Sequence, residues 1–80
     1  MAKHSLTTAF TGPYSVVANG LLQHGGGSPI EIVVAASMPA NDADALILAE
    51  DFDVIRASGD RTFFARAQNA TALLRVVPAL

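Results

Sequence analysis

Ile30-Glu31-Ile32-Val33-Val34-Ala35-Ala36 is the stretch that decides the fold class. In an extended chain Ile30, Ile32, Val34 and Ala36 fall on one side and Glu31, Val33 and Ala35 on the other, because side chains alternate along a strand. Both sides are largely apolar, as expected of a central strand or of one covered by a subunit contact. Pro29 stands where a strand can begin without losing a ladder hydrogen bond.

The same pattern extends in both directions. Alanine is the best helix former, so helix is the competing reading for this alanine-rich chain. The apolar runs are short, however, and Gly, Pro, Asn and Asp interrupt them. Many carry Val, Ile, Thr and Phe, which suit a pleated surface. Strands are expected at 6–10, closed by Thr11-Gly12-Pro13, and at 14–18, where Tyr14, Val16 and Ala18 share a face. Asn19-Gly20 reads as a turn. A short apolar piece at 21–24 leads into Gly25-Gly26-Gly27-Ser28, read as a flexible loop. Segment 42–50 admits a short helix capped by Asn41 or Asp42 or a strand at 46–49. The strand is preferred because Glu50-Asp51 follows like a turn.

Further strands are expected at 52–57, 62–68 and 72–77, the last two as a terminal hairpin across Asn69-Ala70. In that register Ala65 faces Leu74 and Phe63 faces Val76 on an apolar side. Phe64 then pairs with Arg75, and Arg66 with Leu73, on the other side. An aromatic ring opposite an arginine allows a cation–π contact of about 0.5–1 kcal/mol when exposed. Solvated arginines covering apolar neighbours with their stems are the plainer reading. Phe64, Arg66, Leu73 and Arg75 are thus the candidate interface, and a one-residue slip would exchange the faces. The expected architecture is all-β: a small antiparallel β-sandwich or barrel of about seven short strands. Residues 1–80 form one domain in this reading, with 1–11 as an N-terminal arm.

Composition points to assembly. The chain has 80 residues, of which 51% are hydrophobic and 15% charged, with a mean hydropathy of +0.40. An isolated domain of about this size buries only roughly 60% of the surface its unfolded chain exposes. The apolar surplus is expected to be covered by another copy or another protein. No cysteine is present, so neither a disulfide nor a thiolate metal site can hold the chain together.

The net charge is −2, and the five cations, Lys3, Arg56, Arg61, Arg66 and Arg75, form no run. A nucleic-acid partner is therefore not expected. The N-terminal segment is polar, so no signal peptide is expected. No apolar stretch nears the roughly 20 residues of a membrane helix, so the expectation is a soluble chain without a membrane partner.

Catalytic and cofactor chemistry finds little purchase. His4 and His24 have no ligand partner at metal-binding spacing. A lone histidine on an oligomer axis can still bind a metal, but a terminal and a loop histidine are the simpler reading. Asp42-Ala43-Asp44 begins like a calcium loop and then runs into Ala45-Leu46. Together with Glu50, Asp51 and Asp53, these carboxylates read as turn residues. The motif G-x-S-x-G is absent, and the triple glycine is not followed by the lysine of a phosphate loop. No enzyme activity, cofactor or metal is expected. An enzyme with a site between subunits, using Asp42, Asp44 or Glu50, is one alternative. A glycan- or receptor-binding module, stacking on Tyr14, Phe52, Phe63 and Phe64, is another.

Val16-Val17-Ala18-Asn19-Gly20 is followed by Ile30-Glu31-Ile32-Val33-Val34-Ala35 and Met38-Pro39-Ala40-Asn41-Asp42-Ala43. Leu46-Ile47-Leu48-Ala49-Glu50, Thr62-Phe63-Phe64-Ala65-Arg66-Ala67 and Ala72-Leu73-Leu74-Arg75-Val76 complete the pattern. This order of features resembles small β-rich virion proteins of tailed bacteriophages, and the resemblance covers most of the chain after the first dozen residues. It implies a non-enzymatic structural part of the particle: a capsid decoration, fibre-base or tail component that assembles as a symmetric oligomer. The expected partners are further copies, with a homotrimer first, and a major capsid or tail protein. The expected location is the virion, assembled in the bacterial host cytoplasm.

Overall fold

Alternation along Ile30–Val34 buries Ile30 and Ile32 completely and leaves Glu31 and Val33 half-buried on the opposite side. This segment is one of eight strands in a computed structural model that describes residues 2–78. The strands are β1 (Ala2–Leu6), β2 (Thr11–Val16), β3 (Leu21–Gly27), β4 (Ile30–Val34), β5 (Leu46–Leu48), β6 (Val54–Arg56), β7 (Arg61–Ala67) and β8 (Ala72–Val77). They form two four-stranded antiparallel sheets, sheet A in the order β1-β8-β3-β6 and sheet B in the order β2-β7-β4-β5. No helix occurs among the described residues. The chain is an all-β sandwich, with one strand more than expected.

Each sheet turns one set of alternate residues inward. Phe63, Ala65 and Ala67 of β7 face Ala72, Leu74 and Val76 of β8 across the gap, and all six are buried. Fully burying a side chain the size of Phe63 or Leu74 contributes about 1.5–3 kcal/mol. The β1–β2 side is closed by rings: His4 lies 4.2 Å from Tyr14, which lies 5.7 Å from Phe63, centroid to centroid.

Segment 42–50 contains no helix: Asp42 lies in a turn, and β5 starts at Leu46 as expected and ends at Leu48. Other expectations need correction. The first strand is Ala2–Leu6 rather than 6–10, so this part of the expected arm is an edge strand paired with β8; Met1 lies outside the described residues. Its alternation was masked by polar residues: Lys3 and Ser5 face out, while His4 and Leu6 oppose Leu74 and Ala72. The triple glycine is not a loop either. β3 continues through it, with a register shift between His24 and Gly27.

The terminal hairpin does not form. β7 and β8 lie in different sheets, and 68–71 crosses between them. The crossing is bound by the neighbouring 28–29 crossing: Gln68 N donates to Pro29 O (2.7 Å), and Ser28 N donates to Thr71 O (3.0 Å). These bonds satisfy the backbone that a tight turn would have had to satisfy by itself.

Candidate interaction surfaces

The four expected interface residues are divided between the two outer faces. Phe64 and Arg66 belong to sheet B, where they pair with Val33 and Glu31. Leu73 and Arg75 belong to sheet A, where they pair with Ser5 and Lys3 of β1. The expected pairs Phe64–Arg75 and Arg66–Leu73 are therefore absent, because a sandwich crossing replaces the hairpin.

Phe64 is buried although it points away from the main core. Its neighbour Arg66 shows how that face is covered. The Arg66 guanidinium sits 4.1 Å from the centre of the Phe10 ring. Its Nε donates to Glu31 Oε1 (2.9 Å), and Nη2 reaches Glu31 Oε1 (2.8 Å) and donates to the Asn41 carbonyl (2.8 Å). Arg66 thus ties β7 to β4, to the β1–β2 crossing and to the β4–β5 loop. An arginine–aromatic contact does exist in this protein, but it is an internal strut.

Arg75 is placed differently. Its Nε is buried with no hydrogen-bond partner among the described residues. Lys3 stands directly opposite on one side and Gln23 on the other. Like charges directly opposite each other in a sheet are destabilising.

The β5–β6 side contrasts with the ring-closed β1–β2 side. An apolar cleft of about 150 Å³ opens where β2, β4 and β6 end and β3, β5 and β7 begin. Val16, Leu22, Ile32, Ile55 and Phe63 line its depth, with Arg56 and Arg61 among its lining groups. Around this side lie Val34, Met38, Leu46, Ile47, Phe52 and Val54, six of the seven large hydrophobic side chains exposed among the described residues. The seventh is Val17. Of the rings considered for glycan stacking, Phe63 and Phe64 are buried and Tyr14 is half-buried, which leaves Phe52 as the exposed one.

His24 is the fully buried polar side chain of the core. Gly26 N lies 3.0 Å from its Nδ1, and a backbone N–H can only donate, so Nδ1 is the acceptor. The ring proton then sits on Nε2 and is donated to the Ser28 carbonyl (2.8 Å). The Asp51 carboxylate, 3.4 Å from Nδ1, makes no ion pair with this neutral tautomer. His24 therefore pins the glycine bulge. The expectation of a loop histidine is corrected, and so is that of a terminal one: His4 packs against Tyr14 within β1.

Asp42 and Asp44 are exposed in the β4–β5 loop, and Glu50 is exposed beyond β5; none of them lines the apolar cleft. Among the described residues no three His, Asp or Glu side chains cluster as a metal site. No family model, curated protein or solved structure matches this chain.

Proposed function

We propose that this chain is a non-enzymatic structural protein of a bacteriophage particle, a self-associating capsid decoration or fibre-base protein. The observation that carries self-association is the one-sided distribution of exposed hydrophobic side chains around the β5–β6 side. Scattered single exposures are normal on a monomer, whereas a rimmed apolar side marks an interaction site. The assignment to a virion rests on the resemblance of the strand-and-turn order to small tailed-phage proteins. The partners in this reading are further copies, with a homotrimer first, and a major capsid or tail protein.

Light scattering across a dilution series tests the association. A closed oligomer, most simply a trimer, is expected. A folded monomer at every concentration would overturn self-association. Mass spectrometry of purified particles from a phage encoding the chain tests the location: the protein is expected in many copies per particle, and its absence would refute the virion role.

A further inference from the structure

We propose that the copies associate head to tail, with the outer face of sheet A of one molecule docking on the acidic β5 flank of the next. This inference rests on the self-association reading and specifies its interface. Its basis is a separation of charge that the fold creates from a sequence with scattered charges. The strands of sheet A carry Lys3, Arg56 and Arg75 and not one Asp or Glu. Segment 35–53, which contains β5 and both loops flanking it, carries Asp42, Asp44, Glu50, Asp51 and Asp53 and not one Lys or Arg. The formal charges are +3 on one and −5 on the other.

Neither set is neutralised within the molecule. Of the five cations, only Arg66 has a carboxylate partner among the described residues. Among the described residues Arg56 bonds only the Asn19 carbonyl, and Arg75 keeps a buried donor unpaired beside Lys3. A like-charge pair held across two strands is a local cost, and such costs concentrate where a surface meets something outside the fold. On the acidic side Asp53 is engaged with the Ala49 and Glu50 amides. Asp42, Asp44 and Glu50 are exposed and accept no hydrogen bond among the described residues.

The apolar groups match as well. Leu21, Val54 and Val77 lie between the cations on the sheet A face, placed by the pairs Leu21↔Arg56, Leu21↔Val77 and Gln23↔Val54. Met38, Leu46 and Ile47 lie among the acids. Patches on different sides of a molecule make a heterologous contact, which closes into a ring or runs on as a filament. A trimer is a small ring of this kind.

The test is charge reversal followed by mixing. Lys3→Glu with Arg56→Glu takes the sheet A patch from +3 to −1, so both patches are acidic; Asp42→Lys, Asp44→Lys and Glu50→Lys together take the β5 flank from −5 to +1, so both are basic. All five side chains are exposed, and circular dichroism and thermal midpoints check that each variant folds. Should the first variant fail to fold, Lys3→Gln with Arg56→Gln takes its place in the single-variant arm. The wild-type oligomer is expected to dissociate at least tenfold more readily in 1 M than in 0.05 M sodium chloride. Each reversed variant alone is expected to lose association tenfold or more, and an equimolar mixture to regain association through contacts between unlike copies. Wild-type oligomers that neither salt nor reversal weakens, or a mixture no better than its parts, would overturn the head-to-tail interface and leave self-association standing. A wild-type monomer at all concentrations would overturn both readings.

Discussion

Replacing His24 with leucine keeps a side chain of similar bulk at a fully buried site and deletes both of its hydrogen bonds. The Gly26 N–H loses its acceptor and the Ser28 carbonyl its donor. An orphaned buried backbone group costs about 1–3 kcal/mol. Both bonds are only partly shielded from solvent, which favours the low end and a sum of about 2–3 kcal/mol. Leucine recovers up to about 1 kcal/mol through greater apolar burial. The expected net loss is about 2 kcal/mol, against about 4–12 kcal/mol for a chain of 80 residues. In urea this lowers the midpoint by about 2 M at an unchanged m of about 1 kcal/mol/M, and the thermal midpoint falls by about 8–16 °C. His24→Gln keeps an N–H donor near the Nε2 position and is expected to lose only about half as much. A loss below about 0.5 kcal/mol for leucine, or equal losses for leucine and glutamine, would refute the bulge-pinning role.

Arg66→Ala is expected to cost about 2–3 kcal/mol, because it strands a half-buried Glu31 and uncovers Phe10. Arg66→Lys keeps the charge but not the fork and should recover less than half of that, read from urea midpoints. The glycine bulge gives an internal contrast. Gly27 has φ +101°, and a Cβ there would collide with the Thr71 carbonyl and Ala72 Cα, whereas a Cβ at Gly26, φ +126°, meets nothing within 4 Å. Gly27→Ala is expected to cost at least about 3 kcal/mol and Gly26→Ala about 1–2 kcal/mol by thermal unfolding; equal costs would refute the steric account. Ile47→Ser removes an exposed side chain without changing charge. It should leave stability within about 0.5 kcal/mol yet weaken self-association several-fold in light scattering, and unchanged association would exclude Ile47 from the interface.

The fold class and most strand segments were readable because period-two alternation is local. Ala72–Val77 is a strand over the expected residues, and β4 begins at Ile30 as Pro29 suggests. The inward set was readable too. Phe63, Ala65, Leu74 and Val76 point into the core whether β7 and β8 form a hairpin or face each other across a sandwich. For the same reason alternation could not choose between those two arrangements. Six of the seven connections cross between sheets, and only β4–β5 joins neighbours in one sheet. The expected pairs Phe64–Arg75 and Arg66–Leu73 failed at this step, since they came from a register that sequence proximity suggested. Two consecutive buried phenylalanines, Phe63 and Phe64, carried an unused signal that both faces of that strand are covered. His24 shares the parity of buried Leu22, but three following glycines read as a loop until their pairing with β8 is known.

Where strands meet solvent, the molecule is poorly suited to joining copies edge to edge. The free edge of β2 contains Pro13 and a register shift between Thr11 and Tyr14, both of which interrupt pairing with a new strand. β1 presents Lys3, and β5 and β6 are only three residues long. Short, charged or bulged edges are how β proteins avoid uncontrolled strand addition. The exposed apolar groups lie instead mostly around the β5–β6 side, and the unpaired charges on the face of sheet A and on the loops flanking β5. An association built from those groups is made by side chains, so it responds to salt and charge reversal, and its stoichiometry follows from the angle between two patches. Strand addition would be nearly indifferent to both. The restraint at the edges and the charge separation on the faces thus favour the same mode of assembly, although they arise from different residues.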